Sequence, residues 1–143
     1  MAITSAICNS FKQEILEAEH NFTASTGDTF NLALYDSDAV LNKSTTAYTT
    51  SEELATTGGY TAKGKALTSV TPVLDSDTAV CDFANISWTS ASFTARGCLI
   101  FNDDNSDTSV CAIDFGGDKT VTSGTFTVEF PAAAASTAII QIA

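Results

Sequence analysis

The chain has 143 residues, enough for one domain that buries about two thirds of the surface its unfolded form would expose. Six basic residues against seventeen acidic ones give a formal charge of −11, which repels phosphate backbones and anionic lipid surfaces and argues against nucleic-acid and membrane partners. The 44% apolar content is rich in Ala and Val and the polar remainder in Thr, Ser and Asp, a balance that favours strands and turns over helices.

The amino terminus carries no basic, apolar and small-residue leader pattern. No apolar run approaches the roughly 20 residues of a membrane span, so a soluble protein made in the cytoplasm is expected. Residues 1–22 read as the one helix. Ile3, Ile7, Phe11, Ile15, Ala18 and Phe22 share one sector of a 3.6-residue wheel, with Glu14 the polar intruder and Thr4 or Ser5 placed to cap the start. Such a face packs either on its own sheet or on a neighbouring subunit.

From Thr29 the texture changes. Phe30, Leu32 and Leu34 alternate with Asn31, Ala33 and Tyr35, the pattern of a half-buried strand, and Asp36-Ser37-Asp38 closes it. Residues 42–59, rich in Thr and ending in Gly58-Gly59, read as a long surface loop. Thr50 and Glu53 there fit a capping box for at most one helical turn. Further strands are expected over 65–74, 79–83, 87–93, 124–130 and 136–142, with turns at Asp75-Ser76-Asp77 and Gly116-Gly117-Asp118 and a corner or edge at Pro131. The centre is a hairpin, Ala95–Phe101 and Val110–Phe115, whose Cys98, Ile100, Cys111, Ile113 and Phe115 can share one buried face while Asp114 and residues 102–107 face water. The fold class is therefore mainly β: a single antiparallel β-sandwich or barrel-like domain over 23–143 carrying the amino-terminal α-helix.

Cys8, Cys81, Cys98 and Cys111 show no C-x-x-C pair, so they are expected as reduced core thiols and no structural zinc is expected. A Cys98–Cys111 disulfide fits a hairpin geometrically, but a cytoplasmic origin argues against it. The single histidine, His20, is expected solvated near the helix end, which leaves no base for common hydrolytic chemistry. The triplet Asp114-Phe115-Gly116 stands without any other kinase motif. Asp36, Asp38, Asp75, Asp77, Asp103, Asp104, Asp107 and Asp118 fall in turns, where Asp bonds the local backbone; a glycosidase pair is a weaker reading. Asp103, Asn105 and Asp107 alternate as calcium ligands do, but lack the central Gly and the distal Glu. Trp88, Tyr48 and Tyr60 could form a glycan-stacking platform, the alternative for Trp88 being a core position. No cofactor is expected.

The stretches MAITSAICNSFKQEIL, NLALYDSDAVLNKSTTAYTT, GGYTAKGKALT, ARGCLIFND and DFGGDKTVTSGTFTVEFP resemble a group of small structural proteins of tailed bacteriophages, and the likeness runs over nearly the whole chain. The resemblance implies a virion component without catalysis, made in the host cytoplasm. It would be a head decoration or cement protein on the capsid surface bound to the major capsid protein, or a tail or fibre component with a receptor- or glycan-binding role. Capsid three-fold symmetry suggests a homotrimer. The gripping element would be the helix face Ile3, Ile7, Phe11 and Ile15, or the Thr-rich loop.

Overall fold

The computed structural model describes residues 2–143 and is mainly β. The elements are β1 (Ala6–Ile7), α1 (Asn9–Leu16), β2 (Phe30–Tyr35), β3 (Lys65–Ala66), β4 (Ser69–Asp75), β5 (Thr78–Phe83), β6 (Ile86–Asn102), β7 (Thr108–Val128) and β8 (Ile140–Ile142). Five strands form an open antiparallel sheet in the order β1-β7-β6-β2-β3, and a second sheet runs β4-β5-β8. The arrangement is sandwich-like. Among the described residues no sheet closes into a barrel.

The β6–β7 hairpin organises the molecule, and it is longer than its two arms suggest in the sequence. β6 runs unbroken for 17 residues and β7 for 21, absorbing the segments expected as separate strands at 87–93 and 124–130. Gly116-Gly117-Asp118 is accordingly a bulge within β7. Ala95 pairs with Lys119 and Gly97 with Asp114, so Arg96 alone faces residues 115–118. The Arg96 Nε donates to Asp114 Oδ1 at 3.0 Å and ties down the base of the excursion. At the centre Cys98 pairs with Ile113 and Ile100 with Cys111. Cys98, Ile100 and Cys111 enter one core as expected, with Ile113 and Phe115 packed against it. Asn102, expected in the solvated loop, is fully buried.

The large sheet is covered on both faces. Phe30, Leu32 and Leu34 join the main core, while Ala33 and Tyr35 join a second one with Ile3, Ala39, Leu41, Leu99, Phe101 and Ala112. Strand β2 is therefore buried on both sides, not half-buried. The 36–54 segment supplies the extra cover: Tyr48 packs at 4.8 Å from the Phe101 ring, and the Tyr35 hydroxyl donates to Thr49 O at 2.7 Å. The loop then returns over β6 at Gly58, which sits at φ 60°. A Cβ there would collide with the Ser92 carbonyl.

The helix is much shorter than 1–22. Ile3 makes a parallel bridge with Leu41, and Ala6 and Ile7 pair with Ala112 and Cys111. Cys8 is extended and lacks a side-chain cap bond, so Thr4 and Ser5 cap nothing. Apolar residues four apart repeat on a strand face as well as on a helix face, and β-branched Ile3, Thr4 and Ile7 favour the strand. The helix stops where Ala18 takes the left-handed conformation (φ 60°), letting Glu19 N bond Glu14 O at 3.0 Å and Ala18 N bond Ile15 O at 3.3 Å. This is a Schellman ending with Ala in the position glycine usually holds.

Residues 65–74, expected as one strand, change sheets. Lys65 and Ala66 pair with β2, whereas Ser69–Asp75 pairs with β5. The Asp75–Thr78 hairpin turn stands where the sequence places it. The last strand is confined to Ile140–Ile142, because residues 133–137 turn.

Candidate docking groove

Helix α1 lies over the open side of the small sheet and leaves an apolar groove of about 450 Å³ between them. Ile7, Phe11 and Ile15 line one wall and Pro72, Cys81 and Ile140 the other. Phe11 is anchored in the core, with its ring 5.9 Å from that of Phe22, so this wall is fixed in place. Three of the four residues expected on a gripping helix face thus meet here. Ile3 does not: it is buried in the second core, across the large sheet. The helix packs on its own chain.

The apolar surface continues beyond the groove. Leu74 pairs with Ala79 and Ala79 with Ile142, so directly opposed side chains form one row across the three strands of the small sheet. Leu74 is 73% exposed, Ile142 57% and, at the end of α1, Leu16 87%. Full burial of each would release about 1.5–3 kcal/mol of transfer free energy. Lys12 is the single charged residue in the lining, and its Nζ meets Asn9 Oδ1 at 3.3 Å and no carboxylate among the described residues. On a chain of charge −11 this groove is an apolar strip with one cation. Sequence reading missed the sheet side of it: Leu74 and Ile142 lie in segments recognised as strands, but only the pairing order places them in one row.

The residues of the expected glycan platform are elsewhere. Trp88 and Tyr60 are each 2% exposed in the main core, their rings 6.2 Å apart, so neither offers a face to solvent. Flat, bulky rings fill the space between the hairpin and the loop above it. Tyr48 is half-buried against Phe101. The hydroxyls of Tyr48 and Tyr60 both donate to the Glu53 carboxylate, which also accepts Lys63 N at 2.7 Å. Burial, with Glu53 adding to it, pushes the Tyr48 phenol up to about 12. Thr50 and Glu53 form no helical cap; Glu53 instead pins the 42–64 loop.

The Asp103 and Asp107 carboxylates face the Lys63 ammonium at 3.1 and 2.9 Å, so an internal cation stands where a calcium ion would bind. Asp36, Asp38 and Glu52 converge within 4.8 Å on the surface. The four thiols are free and buried in one core, and burial raises the pKa of each, Cys81 to about 12. Cys98 and Cys111 are diagonal neighbours, each paired with an isoleucine. His20 is not solvated. Its side chain is wholly buried beside Glu14 and Asn102, because the chain turns back under the hairpin tip once the helix ends.

No family model, curated protein or solved structure matches the chain.

Proposed function

We propose that this chain is a non-enzymatic structural protein of a tailed-phage virion that decorates the outside of the mature head and stabilises it. In this reading the groove between α1 and the small sheet seats on the major capsid protein. The observation that carries it is the exposed apolar surface of Leu74 and Ile142 in the small sheet and Leu16 at the end of α1, flanking the groove on a chain of charge −11. The reading also rests on the sequence resemblance described above, and an acidic exterior suits a protein separated from the genome by the shell. Cementing follows by mass action: a subunit that binds the expanded lattice better than the unexpanded one stabilises the expanded form. Three-fold positions of the lattice would hold it as a homotrimer.

Quantitative peptide mass spectrometry on purified virions tests this reading. Hundreds of copies per particle support head decoration; a handful moves the protein to the tail or a head fibre and overturns it. The fibre alternative with a glycan platform has lost its aromatic support, since Trp88 and Tyr60 are interior.

A further inference from the structure

The tip of the β6–β7 hairpin holds the segment after α1 through a set of polar contacts, with a buried Asn102–His20 pair among them, that no docking role uses. Asn102 Oδ1 accepts the Asp104 N–H at 3.1 Å, so the amide nitrogen faces inward, 3.0 Å from His20 Nδ1 and 2.8 Å from Asp28 Oδ2. A flipped amide could still accept from an Nδ1–H of His20, but it would set its oxygen against the Asp28 carboxylate and its N–H₂ against the Asp104 N–H, losing both of those contacts. The Asn102 nitrogen therefore donates, and His20 Nδ1 must accept. That fixes the neutral imidazole with its proton on Nε2, aimed towards Glu14 Oε1 at 3.8 Å, too far for a hydrogen bond; both atoms are buried without a partner.

The same segment is tied at several other points. Thr29 N donates to Asp104 Oδ2 at 2.6 Å, Asp103 N to Thr29 O at 2.9 Å, and Asn105 Nδ2 to Glu19 O at 2.7 Å. Asn21 N shares Asp28 Oδ2 at 2.8 Å. Residues 102–105 thus grip residues 19–29.

We propose that His20, Asn102 and Asp28 form an acid-sensitive latch. With His20 neutral, Asn102 bridges it to Asp28 and clamps the 19–29 segment to the hairpin tip; protonation at Nδ1 sets two donors face to face, expels the amide and frees the clamp. The titratable groups around the ring are Glu14 from α1 and Glu19 and Asp28 from the following segment. The rings of Phe11, Phe22 and Phe30, at centroid distances of 5.0, 6.3 and 6.2 Å, close other sides. Glu14 and Asp28 are the acceptors an imidazolium would turn to, and reaching Asp28 requires Asn102 to leave. Burial among these rings holds the His20 pKa below its ordinary value despite Glu14. Between the folded and unfolded pKa the unfolded chain binds more protons. The fold is then at full strength above about 6.5 and weakens as pH falls towards the folded pKa. Phe11 touches both His20 and the groove, so release reaches the groove wall. The latch itself stands whatever the groove binds.

Because His20 is the only histidine, ring ¹⁵N NMR of the labelled full chain reads it directly. The expected result is an unprotonated Nδ1 and a protonated Nε2 at pH 7.5, with a midpoint below 6.5. Protection factors, that is exchange corrected for its intrinsic slowing in acid, should fall roughly tenfold in residues 19–29 and 103–107 through that midpoint, as loss of a buried hydrogen-bonded contact would cause. In Asn102→Asp a carboxylate faces Nδ1, and the midpoint should rise by about one unit or more. In His20→Gln the acid-dependent loss of protection should vanish. A proton on Nδ1 at pH 7.5, a midpoint at or above 6.5 in the unaltered chain, or an equal acid response in His20→Gln would each overturn the latch. If Asn102→Asp does not fold, the tautomer and the His20→Gln comparison still decide. None of these readouts involves a capsid, so failure here leaves the virion reading standing, and the reverse.

Discussion

Strands β2 and β4 are close in length and both rich in apolar residues, yet they end in opposite environments. All of β2 except Asn31 is buried, whereas Val70, Val73 and Leu74 of β4 stand 40%, 53% and 73% exposed. Strand type and hydrophobicity do not separate them; position and cover do. β2 lies inside the five-stranded sheet, with the main core on one face and the 36–54 segment on the other. β4 is the edge of a three-stranded sheet, interrupted by a register shift at Thr71-Pro72 that discourages another strand from adding there. One region is closed by its own chain. The other keeps an apolar face that its own chain leaves open.

Substitutions can break or sharpen that contrast. The largest effect is expected in the second core, where Phe101→Ala should cost about 3–5 kcal/mol in denaturant unfolding if β6 is covered on both faces. A cost below about 1 kcal/mol would mean that the outer face is only lightly covered. Next comes the lid on that core. Glu53→Ala removes the acceptor of two tyrosine hydroxyls and the Lys63 amide, leaving buried donors unpaired. A loss of about 1–3 kcal/mol is expected, with faster amide exchange across residues 43–64. Unchanged exchange there would show that the loop is held by packing alone. Ala18→Gly is expected to stabilise by about 0.5–1 kcal/mol, because glycine adopts the left-handed helix ending without a Cβ penalty. A lower melting temperature would count against that ending. The smallest effect falls on the open face: Leu74→Ser should leave stability within about 0.5 kcal/mol while weakening whatever docking the proposed head-decorating role requires. Equal loss of both would mean that Leu74 serves the fold and not a partner.

Much of the architecture is legible in the sequence where a residue's environment follows from its neighbours. The shared face of Cys98, Ile100 and Cys111, the Asp75 turn and the 42–59 loop are all of this kind. What escapes depends on partners distant in the chain. Ile3 and Ile7 have a spacing that suits helix and strand alike, and only Leu41 and Cys111 decide between them. Asn102 looks like the first residue of a polar loop because nothing local announces His20 and Asp28. Lys65–Leu74 carries no breaker at the point where it changes sheets. The groove was half legible: Ile7, Phe11 and Ile15 belong to one face, but Ile142 joins it, and Leu74 lies beside it, through pairings with β5 that no local pattern encodes.

The pairing of Ala6 with Ala112 fixes an order of events during synthesis. The β6–β7 hairpin closes over a short turn as soon as it leaves the ribosome, but β1 is made first and its partner strand comes about a hundred residues later. At roughly 5–20 residues per second that leaves the first strand waiting on the order of 5–20 s. Contact order therefore seats the amino-terminal strand only after the hairpin is made. During that interval Ile3 and Ile7 are uncovered, and once β7 emerges its edge is open to the first strand of this chain or of a neighbouring one. Exchange of the first strand between neighbouring nascent chains is the misassembly this topology invites.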